Sequence, residues 1–216
     1  MSARPSAAVA SRARQIISKL KKTYPDAHCE LNHSNPLQLL IATILSAQCT
    51  DARVNKVTPA LFARCLTARD YAEIPSAELE GLVRTTGFFR AKAKSIRGCA
   101  ASLVKNHGGE VPKSMADLHR LPGVGRKTAN VVLGNAFRLA EGIVVDTHVG
   151  RLSRRMGLTR QNDPVKVEQA LIKIVPKKDW TLFSHLLIWH GRRRSSARKP
   201  DCARCEIKSL CPKRGV

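Results

Sequence analysis

No stretch of this 216-residue sequence alternates apolar and polar residues for long enough to argue for a substantial sheet, and there is no internal repeat and no low-complexity linker. An all-α protein is expected. Long apolar runs are missing too. Leu37 to Leu45 is too short to span a membrane, and Arg12 and Arg14 interrupt the Ala/Ser-rich start, Met1 to Ala10, before it reads as a signal peptide. The expectation is an intracellular, cytoplasmic protein with no membrane partner. Acidic residues are scarce: Lys and Arg outnumber Asp and Glu by 38 to 16, a formal charge of +22. Such a field attracts a polyanion, and binding through several phosphates weakens steeply with salt. A merely soluble basic surface is the alternative. The seven cysteines are odd in number, which argues against a disulfide framework and for a reduced compartment. Cys29, Cys49, Cys65 and Cys99 are scattered and read as small packing residues, whereas Cys202, Cys205 and Cys211 crowd the C-terminus.

What is present is helical punctuation. Ile16, Ile17 and Leu20 stripe a basic first helix that should stop near Tyr24-Pro25, and Asn35-Pro36 caps and opens a buried helix over Leu37 to Ser46. Asp51 is expected to cap a helix bent or ended near Pro59, and Ser76 to begin a short one. After Gly87-Phe88-Phe89 a basic helix runs from Arg90 to Val104. Ser114 to His119 and Arg126 to Phe137 flank a glycine hairpin; Asp163-Pro164 starts a helix ending near Pro176, and Asp179 starts another stopping at Gly191.

The hairpin, Leu121-Pro122-Gly123-Val124-Gly125-Arg126-Lys127, is a helix-hairpin-helix turn. Its glycines let backbone N–H groups approach a phosphate, and the helix it opens points its positive end at the same anion. Lys127 sits near that helix start, beside Arg126, in a strongly positive chain, and all three effects favour the neutral, nucleophilic amine. A plain phosphate contact is the other reading. Asp146 follows nineteen residues later, after Ile143-Val144-Val145, where it is placed either to cap a helix or to accept a proton from the amine. Together the two suggest an enzyme acting on DNA.

With its flanks, Leu118 to Asn130, the hairpin resembles the endonuclease III family of DNA glycosylases. The likeness extends through Asn35-Pro36, Leu45-Ser46-Ala47-Gln48-Cys49-Thr50-Asp51, Val111-Pro112, Val145-Asp146-Thr147-His148 and the final cysteines. The resemblance implies a six-helix barrel over residues 29–139, with the helix-hairpin-helix at 114–137. It also implies a second helical lobe from residues 1–28 and 140–216 with a cysteine loop at 190–212, and Lys127 and Asp146 meeting at the cleft. Lys127 would attack the sugar and Asp146 would stabilise the developing charge. Gln48 would plug the gap left by the extruded base, and Phe88 or Phe89 would be the apolar wedge, unless both are core residues. Asp51 would line the lesion pocket or cap a helix. His148 would contact the pocket or a phosphate. Gly123, Val124, Gly125, Arg126, Arg192, Arg198 and Lys199 would hold the backbone without reading sequence.

Family members hold a 4Fe-4S cluster on cysteines spaced C-x6-C-x2-C-x5-C. This chain keeps Cys202, Cys205 and Cys211 in that register but has Ser195 seven residues before Cys202. The expectation is still a cluster, with Ser195 or an outside ligand at the fourth iron. A 3Fe-4S cluster, no cluster, and zinc completed by His190 are the alternatives. The implied activity is that of a monomeric bifunctional glycosylase and abasic-site lyase, removing oxidised pyrimidines from double-stranded DNA and acting on abasic sites. A mismatch-specific glycosylase of the same superfamily and a non-catalytic damage-sensing module are the alternatives.

Overall fold

The computed structural model describes residues 7–216; the first six, part of the Ala/Ser-rich start, lie outside the described residues. Eleven α-helices and no strand occur among the described residues. They divide into two compact units, one formed by Cys29–Glu141 and the other by the N-terminal segment through His28 with Gly142–Val216.

The Cys29–Glu141 unit is organised around α2 (Pro36–Leu45), whose residues Leu39 to Leu45 are all buried. A helix apolar on every side belongs at the centre of its unit. The Asn35 side chain caps it by accepting from Gln38 N, and Pro36 fills the first turn, where no N–H is needed. Six helices surround the same core: α3 (Asp51–Arg64), α4 (Ala68–Glu73), α5 (Ser76–Val83), α6 (Phe89–His107), α7 (Met115–Arg120) and α8 (Arg126–Ala136). Two expectations are corrected here. Thr50, not Asp51, caps α3, its hydroxyl accepting from Arg53 N, which leaves Asp51 as the first helical residue. Pro59 neither ends nor interrupts α3, because it sits on the exposed side while Val54, Thr58 and Leu61 stay buried on the other. Helix α4 was not expected. It is six residues long and rests on a capping box in which Thr67 and Asp70 each satisfy the other's backbone N–H.

The second unit packs α1 (Ala7–Thr23), α9 (Thr147–Arg155), α10 (Pro164–Leu171) and α11 (Trp180–Arg193) around a core that includes Ile16, Leu20, Leu152, Val167, Phe183 and Leu187. Helix α11 does not stop at Gly191 as expected. A Cβ at that position would lie 2.6 Å from His148 Nδ1, so the glycine serves close packing of α11 on α9 rather than termination.

Candidate functional site

In the hairpin between α7 and α8, Gly123 has φ +77°, and an added Cβ would come within 2.6 Å of the Ser95 Cβ on α6. Gly125 has an ordinary φ of −87°, and nothing lies within 4 Å of where its Cβ would be. One glycine is needed for the turn; the other leaves open space. Val124 is buried, and its N–H donates to Leu121 O at 3.1 Å. The N–H groups of Gly123 and Gly125 have no backbone acceptor among the described residues, and α8 begins without a side-chain cap. These are the conditions for anion binding at a helix start. Arg126 and Lys127 are the first two residues of α8, and both are exposed. Lys127 has no hydrogen-bond or ion-pair partner among the described residues.

Asp146 caps α9: its Oδ1 accepts from Val149 N at 2.7 Å. That bond fixes the half-buried carboxylate and leaves lone pairs for other work. His148, one residue into α9, receives a 3.3 Å contact from Arg151 Nη2.

Gln48 is exposed between α2 and α3 with φ +51°, and Phe88 precedes α6 with φ +49° and 67% exposure. Phe89 instead turns inward and packs on the core of its unit. Of the two phenylalanines Phe88 is the exposed one and Phe89 is partly buried. The basic run after Gly191 is also divided. Arg193 lies 3.9 Å from the Trp189 ring centroid, and Arg194 pairs with Glu206 at 2.8 Å and Asp201 at 3.0 Å. Arg192, Arg198 and Lys199 are exposed.

Cys202, Cys205, Cys211 and Ser195 line one small cavity, with His190 and Arg155. The Arg155 guanidinium was missed in the sequence, where an arginine on a basic helix looks like a solvated charge. It is 5% exposed and donates to Ser195 Oγ at 2.9 Å, Ser196 O at 2.9 Å and Ala197 O at 3.3 Å, while its Nε has no acceptor. Burial raises the Cys205 thiol and holds His190 down to about 4, and Tyr24 Oη lies 3.1 Å from His190 Nδ1. Sulfurs on one tetrahedral zinc sit roughly 3.8 Å apart. Among the described residues the three sulfurs do not gather within 4.8 Å of one another, and the set that does is His190, Cys205 and Glu206. A buried cation with an unsatisfied N–H beside three spread thiols fits an anionic, polynuclear thiolate group better than a single ion.

The family model described as HhH-GPD superfamily base excision DNA repair protein matches residues 41–177, which places the chain in a class of helix-hairpin-helix DNA repair proteins. The chain is 54% identical to endonuclease III of Synechocystis sp. over 93% of its length and 92% of that protein's. It is 46% identical to endonuclease III of Bacillus subtilis, over 90% and 89%. A solved non-covalent endonuclease III–DNA complex aligns with TM-score 0.90 and 46% identity, covering 94% of this chain and 95% of that one. A trapped endonuclease III–DNA covalent intermediate aligns with TM-score 0.89. The chain belongs to the endonuclease III family. No helix among the described residues is long and apolar enough to cross a membrane.

Proposed function

We propose that the chain is a bifunctional DNA glycosylase and abasic-site lyase that removes oxidised or ring-saturated pyrimidines from double-stranded DNA. The observation that carries the reading is Lys127: an exposed, unpartnered amine at the uncapped start of α8, next to two free glycine N–H groups, in a chain of this family. The covalent intermediate trapped for a structural neighbour supports it.

In the reaction, the backbone donors at Gly123 and Gly125, with Arg126, hold a phosphate, and Arg192, Arg198 and Lys199 add affinity without sequence preference. Gln48 fills the space of the extruded nucleotide and Phe88 stacks against the opposite strand. Asp51 and His148 border the flipped base. The Lys127 amine attacks C1′, the C1′–N bond breaks, and the base leaves with a proton. Asp146 accepts the proton from the amine, relays it to the departing base, and stabilises the cationic sugar. The C1′–O4′ bond of this adduct then breaks, O4′ taking a proton from solvent, to give an iminium that acidifies a C2′ proton; removal of that proton expels the 3′ phosphate by β-elimination, and water hydrolyses the imine to release the lysine.

The cysteine cavity is proposed to hold an iron-sulfur cluster, through Cys202, Cys205 and Cys211 with Ser195 at the fourth position. When bound, the group supplies a cross-link that orders the loop from Ser195 to Cys211. Arg155 offsets its negative charge, and Arg151 fixes the loop by donating to Ser195 O at 2.6 Å.

The test uses a duplex with one thymine glycol. Release of the free base together with a nick on the 3′ side supports the reading; binding without either product reduces the chain to a damage-sensing module.

A further inference from the structure

Four non-glycine residues have positive φ among the described residues, and two of them, Gln48 and Phe88, are the proposed plug and wedge. The left-handed region is disfavoured for an ordinary residue, so something must hold each tip in place. At the Phe88 tip the turn is built from inside. The Thr86 hydroxyl donates to Val83 O at 2.8 Å, Lys92 N donates to Phe88 O at 3.0 Å, and Lys92 Nζ donates to Thr86 O at 2.7 Å.

Lys92 is an unusual residue for that task. It is 5% exposed, lies in the first turns of α6 where the helix dipole disfavours a cation, and has no carboxylate partner among the described residues. Burial lowers its affinity for the proton. An apolar side chain would fill this position at less cost. What an apolar side chain lacks is a donor reaching the carbonyl of Thr86, two residues before Phe88.

We propose that Lys92 is a positioning residue for base extrusion: its buried ammonium ties the carbonyl of Thr86 and so fixes the Phe88 tip in the conformation that enters the duplex. The inference rests on the reading of Gln48 and Phe88 as the residues that enter the duplex. Unstacking a base is costly, and a wedge that arrives already placed loses less to ordering when it enters the duplex. Lys92 does not touch the reacting sugar. Its effect belongs to opening the helix and is absent when the lesion is already unpaired.

The experiment compares single-turnover excision of thymine glycol paired in a duplex with excision of the same lesion in an unpaired bubble, for the full-length protein and Lys92→Met, Lys92→Arg, Gln48→Ala and Phe88→Ala. The expected result for Lys92→Met is a rate about tenfold or more lower on the paired lesion, equivalent to about 1.4 kcal/mol or more. On the bubble its rate, and its affinity for undamaged duplex, stay within about twofold of wild type, a difference below about 0.5 kcal/mol. Lys92→Arg, which keeps a donor, retains most of the paired rate. Fluorescence of 2-aminopurine opposite the lesion, measured in a Lys127→Ala background, reports the opening step without chemistry and should fall with Lys92→Met. Equal losses on both substrates mark a role in the fold alone and overturn the proposal, as does no loss on either. If Gln48→Ala and Phe88→Ala both behave as wild type, the plug-and-wedge reading fails with it; if they are slowed and Lys92→Met is not, only the role of Lys92 falls.

Discussion

The two hairpin glycines should fail in different ways when given a methyl group. At Gly123 the backbone has φ +77° and the new Cβ would lie 2.6 Å from the Ser95 Cβ, a distance that only movement of α6 or of the turn can relieve. The left-handed conformation costs roughly 1–2 kcal/mol and the overlap about 1–3 kcal/mol, so Gly123→Ala is expected to destabilise by about 2–5 kcal/mol. In a chain of this size that lowers the melting temperature by about 4 °C or more. At Gly125, φ is −87° and the space around the Cβ is open, so Gly125→Ala should leave stability unchanged within about 0.5 kcal/mol or raise it slightly. The open space is where a phosphate would come. Losing one charge-assisted hydrogen bond there costs about 1.5–3 kcal/mol, or roughly 10- to 150-fold in affinity. Urea or thermal melts read the first quantity and titration of a fluorescent duplex at fixed salt reads the second. A Gly125→Ala protein that binds duplex as tightly as wild type would refute the phosphate assignment, and a Gly123→Ala protein of wild-type stability would refute the packing argument.

Further tests separate overlapping roles. Asp146→Asn keeps an α9 cap and should change stability by less than about 0.5 kcal/mol, yet excision should fall by about 10²-fold or more; a wild-type rate assigns Asp146 to capping alone. Burial and His28 hold His185 down to about 4 from 6.5, so the unfolded chain takes up its proton first. The stability that His185 contributes is therefore present above pH 6.5 and lost as pH falls toward 4, by at most about 3 kcal/mol, and His185→Phe should flatten part of that slope in urea melts. Iron and sulfide per chain, with the visible absorption of freshly purified protein, test the cysteine cavity. Ser195→Cys should retain iron longer than wild type against a chelator, and a colourless, iron-free protein from iron-replete cells contradicts the cluster.

Much of the helical architecture was legible because its punctuation is local. Asn35-Pro36 and Asp163-Pro164 each name a helix start from two residues, and Asn35 and Asp163 cap as expected. Helix α4 was overlooked because six residues are too few for an apolar period, although its capping box is written in Thr67 and Asp70. Gly191 misled for a different reason. A glycine that ends a helix and one that lets two helices touch are the same letter, and only the position of His148 separates them. Phe88 and Phe89 are likewise identical in sequence and opposite in exposure, since the helix start decides which ring turns inward. Lys127 and Asp146 were nameable because a motif carries them. Lys92 and Arg155 were not, because a buried cation is recognised by its surroundings, which lie several residues to dozens of residues away in the chain.

The most direct measurement is borohydride trapping on a duplex with a single abasic site, followed by peptide mapping of the adduct. A reduced covalent cross-link located on Lys127, and absent from Lys127→Ala, is the expected result. Wild-type protein that forms no adduct, or an adduct undiminished in Lys127→Ala, contradicts the lysine mechanism.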